Sequence, residues 1–291
     1  MLTAKQVTAY QEQGFLVLEN QVPNYLLKRI HEDLHRFHEQ AANITESDQY
    51  IDLEDSHRPD RPRIRRIKLP HTQMQPCAEL MRHDCILDPV RDLVGPNLRL
   101  HTSKLNMKSA GYGAAVEWHQ DWAFYPHTND DILAVGVMLD DMTEDNGALL
   151  MLPESHRGPV YNHHADGGFV GAIAVTELDT TNAVPVVAPA GSISLHHVRL
   201  VHGSDSNRSG NDRRLLLYEI TAADAFPIMG ALSKLPSIAE YDSRMLCGDP
   251  TLEPRVTAVP VRIPQPAPEQ YGSIYELQNG ASAPAFKSGQ G

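Results

Sequence analysis

The feature that most limits what this chain can fold into is a series of short apolar segments between residues 97 and 222. LRLHTSKLNMK, ILAVGVMLDD, ALLMLPES, GAIAVTEL, VPVVAPAGSISLHH and RRLLLYEIT follow one another, parted by breaks such as EDNG, RGP, PAG and NRSGND. The segments have strand length, and the breaks carry the glycine, proline or asparagine of turns. Short strands leave backbone edges that one hairpin cannot cover. Repeated at fairly regular spacing, they predict an all-β sandwich or barrel.

The first 96 residues have another texture. LTAKQVTAYQEQG sets Thr3 and Gln6 in a capping-box pattern and ends at Gly14, which predicts a short helix; FLVLEN after it reads as a strand. In PNYLLKRIHEDLHRFHEQAAN, Leu26, Ile30, Leu34, Phe37 and Ala41 recur at helical spacing, and His31, His35 and His38 fall mostly on the solvated face. DPVRDLVG, residues 88–95, has aspartate as cap, proline in the first turn and glycine as stop. Residues 44–76 are polar, charged and proline-containing, and read as loop. Within them RPRIRRIK, residues 61–68, is either a solvated basic cluster or a lid carrying Arg66 to a pocket. Beyond residue 223 the pattern weakens into segments such as VPVRIPQPAPEQYG, and the last dozen residues look frayed. The expected organisation is one domain over 1–291: a helical front (1–96), a β core with the site (97–222) and an extension lying over it (223–291).

Composition removes some function classes. The chain of 291 residues carries 25 basic and 37 acidic side chains, a formal charge of −12, so nucleic acid is not the expected partner. No apolar run approaches membrane-spanning length and no basic, apolar leader opens the chain, so a soluble cytoplasmic protein is expected. Cys77, Cys85 and Cys247 form no CxxC pair and read as reduced thiols.

EWHQDW, residues 117–122, holds both tryptophans of the chain. If it is extended, His119 and Asp121 point to one face, where an imidazole and a carboxylate can bind the same metal ion. The best third donor is His202 in RLVHGSDSNRSGNDRR, at the end of an apolar stretch; His197 is its rival. Two histidines and one carboxylate, with other positions open, form the facial arrangement of non-haem Fe(II) oxygenases. No cysteine is offered, which weakens a structural zinc reading.

EWHQDWAFYPHTNDDILAVGVMLDDMTEDNGALLMLPESHRGP, then HHVRLVHGSDSNRSGNDRRLLLYEI, with YQEQGFLVLEN near the start, resemble the phytanoyl-CoA dioxygenase (PhyH-like) family. The resemblance implies a mainly β fold with flanking helices around a double-stranded β-helix (jelly-roll, cupin-like) core. It implies Fe(II), with 2-oxoglutarate and O2 as cosubstrates, oxidising and most simply hydroxylating a small molecule as succinate and CO2 are released. Carried over position by position, His119, Asp121 and His202 match the iron ligands. Arg213, eleven residues past His202, matches the arginine that holds 2-oxoglutarate. Arg214 competes with it, but alternation lets only one of the two enter the pocket. A buried guanidinium meets a carboxylate with paired hydrogen bonds, which is why arginine suits the role. Ser204 and Asn106 match further cosubstrate contacts, and Lys104, on the same face as Asn106, is a secondary candidate. Trp122, Phe124 and Tyr125 are candidates for the substrate mouth; Trp118, His156 and His197 are expected to support structure. The retained aspartate disfavours halogenation. The alternatives are a non-catalytic metal-binding protein, a zinc hydrolase using the same ligands, and a structural β-sandwich.

Overall fold

The strand Arg213–Ala222 lies at the centre of the structure and shows why the chain forms two layers. In the computed structural model, which describes residues 1–230, 233–267 and 273–286, the strands are β1 (Phe15–Leu18), β2 (Ile51–Leu53), β3 (Ile64–Lys68), β4 (Leu98–Lys108), β5 (Val116–His119), β6 (Ile132–Met138), β7 (Leu150–Met151), β8 (His164–Ala165), β9 (Gly168–Phe169), β10 (Val184–Pro185), β11 (Ile193–His197), β12 (His202–Ser204), β13 (Arg213–Ala222) and β14 (Met245–Cys247). The helices are α1 (Ala4–Gln13), α2 (Asn24–Ala41), α3 (Pro70–Gln73), α4 (Gln75–Leu80), α5 (Asp84–Val94), α6 (Ile238–Ser243) and α7 (Ile274–Gln278).

The larger sheet runs β1-β11-β6-β13-β4-β3-β2, with β14 pairing beside β4; the smaller runs β10-β7-β12-β5. Every pairing in them is antiparallel. Along β13, Leu216, Tyr218 and Ile220 join Leu26, Ile30 and Leu34 of α2, Leu80 of α4 and Ile86 of α5 in one apolar cluster. Leu215 and Leu217 join Ala134 and Met138 of β6, Met151 of β7 and Leu200 in another. Because side chains alternate, one face of the large sheet takes the helices and the other takes the small sheet. This two-sheet antiparallel arrangement is the jelly-roll core that the sequence implies.

Helix α1 begins at Thr3, whose hydroxyl accepts from Gln6 N–H within a capping box, and stops at Gly14 in the left-handed region at φ 82°. Helix α2 buries Leu26, Ile30, Leu34, Phe37 and Ala41, as its spacing predicts.

Residues 44–76 are not loop, contrary to expectation. They contain β2, β3, α3 and the start of α4, because Ile51, Leu53, Ile64 and Ile67 are buried and the acidic stretch before the basic cluster neutralises it. Arg66 and Lys68 pair with Asp52 at 2.6 and 2.7 Å, and Arg65 with Glu54 and Asp55 at 2.8 and 2.9 Å. The basic cluster is therefore the outer part of the large sheet rather than a lid. Helix α5 also starts earlier than predicted, at Asp84 with His83 as its cap, and carries Pro89 inside. The preceding turn buries Ile86 and Leu87, which outweighs the hydrogen bond that proline removes. At the C-terminus, 280–286 are not frayed: the Glu117 carboxylate accepts from Ala285 and Phe286 N–H at 2.7 and 3.2 Å, and the Phe286 ring lies 5.6 Å from that of Trp118. Residues 287–291 of that stretch lie outside the described residues.

Two predictions follow from this packing. Leu216, fully buried, should cost about 2–5 kcal/mol when changed to alanine; a lowered urea midpoint with unchanged slope checks it. Burial also pushes His71 and His127 down to about 4 and His163 to about 3. The unfolded chain takes up these protons near pH 6.5, the folded chain only near pH 4 and below. Stability should therefore fall as pH drops from 6.5 towards 4. Urea midpoints flat across that range would contradict it.

Candidate metal centre

Strands β5 and β12 pair antiparallel with His119 directly opposite His202. The rings lie 4.2 Å apart between centroids. The extended reading of EWHQDW holds as far as Gln120; Asp121 then opens a single 3₁₀ turn. The bend is pinned by the fully buried Gln120. Its N–H donates to His163 Nε2 at 3.0 Å, and its side-chain amide donates to the carbonyls of Pro159 and Arg199 at 3.1 and 2.8 Å. Its Oε1 accepts from Tyr161 N–H at 2.9 Å. That fixed spacer turns Asp121 back toward the two imidazoles.

Asp121 Oδ1 lies 3.8 Å from His119 Nε2, and Oδ2 lies 3.8 Å from His202 Nε2. One ligand atom from each of the three residues falls within 4.8 Å of the others, and all three residues are buried. His119 Nδ1 sits 2.8 Å from the Glu117 carbonyl and His202 Nδ1 sits 2.9 Å from the Leu200 carbonyl. A carbonyl only accepts, so Nδ1 carries the proton and Nε2 presents its lone pair to the shared space. Burial holds His119 down to about 4 and His202 well below its ordinary value, keeping both imidazoles neutral, as ligands must be. Burial alone would raise Asp121, but the Lys104 ammonium and the His196 contact outweigh it and keep the carboxylate ionised. Two neutral nitrogens and one carboxylate oxygen fit a divalent iron.

The cavity beside the triad is lined along β13 by Arg213, Leu215, Leu217 and Glu219, and along β4 by Lys104 and Asn106. Arg213 is 2% exposed and its Nε has no hydrogen-bond partner among the described residues. One Nη donates to the Gly147 carbonyl at 2.8 Å. Burial lowers the guanidinium to about 10. A buried cation with no carboxylate beside it among the described residues fits an anionic ligand. Arg214 points the other way and pairs with Asp140 at 2.5 Å. Ser204 lines the cavity, but its hydroxyl accepts from Lys108 Nζ at 2.8 Å. Asn106 lines it too, with Oδ1 unpartnered among the described residues.

Lys104 is not beside Arg213. The register pairs Arg213 with Lys108 and Leu217 with Lys104, so four residues, about 13 Å of strand, separate them. Its ammonium lies 3.1 Å from Glu219 and 3.9 Å from Asp121, at the metal end. Trp122 is fully buried among Tyr125, Ile132 and Val198, and its indole donates to the Pro260 carbonyl at 2.9 Å; it is core, not mouth. Phe124 packs edge-on to His119 at 5.9 Å and to Phe169 at 5.2 Å. Tyr125 is buried against His101 at 4.6 Å. Arg66 binds Asp52 on β2 and does not line the cavity.

His197 is directed away from the triad, 3.9 Å from Asp130 and 5.3 Å from the His156 ring. The residue that reaches the triad is its neighbour His196, 3.7 Å from Asp121, with both ring nitrogens lacking a hydrogen-bond partner among the described residues. Sequence reasoning missed His196, Glu219 and Lys108. Alternation along VPVVAPAGSISLHH, RRLLLYEIT and LRLHTSKLNMK places all three on the inner face and was the signal that could have found them.

Residues 10–215 match the family model for phytanoyl-CoA dioxygenase (PhyH). A protein of Stutzerimonas stutzeri described as a probable alpha-ketoglutarate-dependent hypophosphite dioxygenase is 37% identical over 281 residues, covering 94% of this chain and 96% of that one. An L-proline trans-4-hydroxylase of Streptomyces griseoviridis is 30% identical over 177 residues, 52% of this chain and 66% of the other. EctD from S. alaskensis, crystallised with 2-oxoglutarate and 5-hydroxyectoine, superposes with a TM-score of 0.66 at 22% identity over 90% of this chain and 88% of that one. The match over most of the chain and the ligand set agree: this protein belongs to the phytanoyl-CoA dioxygenase family, the Fe(II)- and 2-oxoglutarate-dependent dioxygenases.

Proposed function

We propose that His119, Asp121 and His202 hold the iron, that Arg213 receives the distal carboxylate of 2-oxoglutarate, and that the substrate is a compact, strongly polar molecule, with hypophosphite as the first candidate. The observation that carries the residue roles is the buried guanidinium of Arg213, without a carboxylate partner among the described residues, in the same cavity as the triad. Bound at the triad, iron supplies the redox chemistry: 2-oxoglutarate is oxidatively decarboxylated to succinate and CO2 while one oxygen atom enters the substrate.

The chain's own residues do the rest. The Glu117 and Leu200 carbonyls fix the imidazole tautomers. Lys104 holds Asp121 ionised at 3.9 Å. Arg213 orients the cosubstrate and Leu215 and Leu217 exclude water between the two ends of the cavity. On the metal side the lining is Lys104, His196 and Glu219 rather than an apolar tunnel. Such a surface is poorly suited to an acyl chain and well suited to a small ionic or hydrogen-bonding substrate. The hypophosphite reading is supported by the Stutzerimonas relative, similar along nearly its whole length. Insertion of one oxygen into a P–H bond of hypophosphite would give phosphite, with the second oxygen atom of O2 in succinate.

Anaerobic loading with Fe(II) and 2-oxoglutarate should give a weak visible charge-transfer band. Arg213→Met should weaken 2-oxoglutarate binding about 100-fold, whereas Arg214→Met should leave it within a few fold. Equal loss in both variants would reject the assignment of Arg213. Turnover with hypophosphite should yield phosphite and succinate in equal amounts, followed by phosphorus NMR. Succinate release with L-proline or ectoine, and none above background with hypophosphite, would move the substrate class to small zwitterions.

A further inference from the structure

Two residues lining the cavity, Ile274 and Tyr275, come from the C-terminal segment, well beyond residue 215 where the family match ends. Tyr275 sits on α7, is 6% exposed, and its hydroxyl has no hydrogen-bond partner among the described residues. It lines the same cavity as Arg213, Ser204 and Leu149. The Arg213 charge acts on Tyr275, opposing the rise that burial causes. Two buried polar groups lining one cavity, each with an unmet hydrogen bond, are costly unless a ligand meets both.

Helix α7 is held firmly enough to present that hydroxyl. Ser273 and Glu276 form a capping box at its start. Gln278 at its end accepts from Glu117 N–H at 2.9 Å and donates to the Gly171 carbonyl at 2.9 Å. It also reaches the Glu117 carbonyl at 3.4 Å, the same oxygen that accepts from His119 Nδ1. The helix is thus tied to the strand that carries the first candidate iron ligand.

We propose that Tyr275 is a second anchor for 2-oxoglutarate, its hydroxyl donating to the distal carboxylate that Arg213 also binds, so that the C-terminal helix forms part of the cosubstrate site. This rests on the reading of Arg213 given above. A phenol beside a guanidinium lets one carboxylate take two donors from different elements, and a methyl-ended chain would take neither.

The test is anaerobic titration of the Fe(II)-loaded full chain, followed by the visible band, with 2-oxoglutarate and with 2-oxopentanoate. The latter has a methyl group where 2-oxoglutarate has its distal carboxylate. Tyr275→Phe should weaken 2-oxoglutarate binding about tenfold and leave 2-oxopentanoate binding unchanged. Its metal affinity should match wild type. Its Tm without cosubstrate should be no lower, since an unpartnered hydroxyl has been removed, and its stabilisation by 2-oxoglutarate should be smaller. Equal 2-oxoglutarate affinity in wild type and variant overturns this proposal alone. So does equal loss for both ligands, which marks a structural role. Wild type that binds neither ligand overturns the functional reading itself, and this proposal with it.

Discussion

The site depends on one cross-strand pair. His119 and His202 face each other across β5 and β12, and neither strand reaches far beyond them. Strands of four and three residues do not hold a register by length. What fixes it is burial around the pair: Trp118 and Val201, each next to one of the histidines, lie in one apolar cluster with Ile173. A slip by one residue would exchange the imidazoles for these apolar neighbours and turn the donors out of the cavity. Gln120 then sets the third donor. With its side chain and backbone fully engaged, the chain must bend immediately after it, and Asp121 is carried to the imidazoles.

The electrostatics follow from that placement. Burial keeps the histidines neutral, which suits ligation, yet the same burial would also neutralise Asp121. Lys104 resolves the conflict from β4. Its ammonium is balanced by Glu219 at 3.1 Å and acts on Asp121 at 3.9 Å. A lysine expected near the cosubstrate because it shares a face with Asn106 therefore sits where it can keep Asp121 charged. At the other end the buried guanidinium of Arg213 is left uncompensated by any neighbouring carboxylate among the described residues. One end of the cavity is internally balanced and the other lacks an anion.

Much of this was legible in the chain. The capping box at Thr3, the stripe of α2 and the alternation of β13 each reduce to a local rule, and each holds. The ligand set was legible because its spacing and its family motif agreed. What escaped was non-local. The 44–76 segment looks like loop because its charges look solvated; its pairing of Asp52 with Arg66 and Lys68 depends on β3 lying against β2 and β4. Trp122 was expected at a mouth because it follows the ligands in sequence, but a 3₁₀ turn redirects it into the core. The alternation that separates Arg213 from Arg214 also puts Glu219, three pleat repeats further on, and His196, across the sheet, in the same cavity lining.

The large sheet thus separates two tasks along one face. Arg213 and Lys104 lie on adjacent strands, about 13 Å apart along the strand direction, with Leu215 between them and Leu217 level with Lys104. The two cations hold different partners: Lys104 meets Glu219 and Asp121, whereas Arg213 meets no carboxylate among the described residues. On the proposed reading 2-oxoglutarate is anchored at Arg213, and the substrate approaches from the side of Lys104, Glu219 and His196. On this reading, the substrate's polarity is set by the residues that keep Asp121 ionised, so ligand support and substrate choice cannot be changed independently.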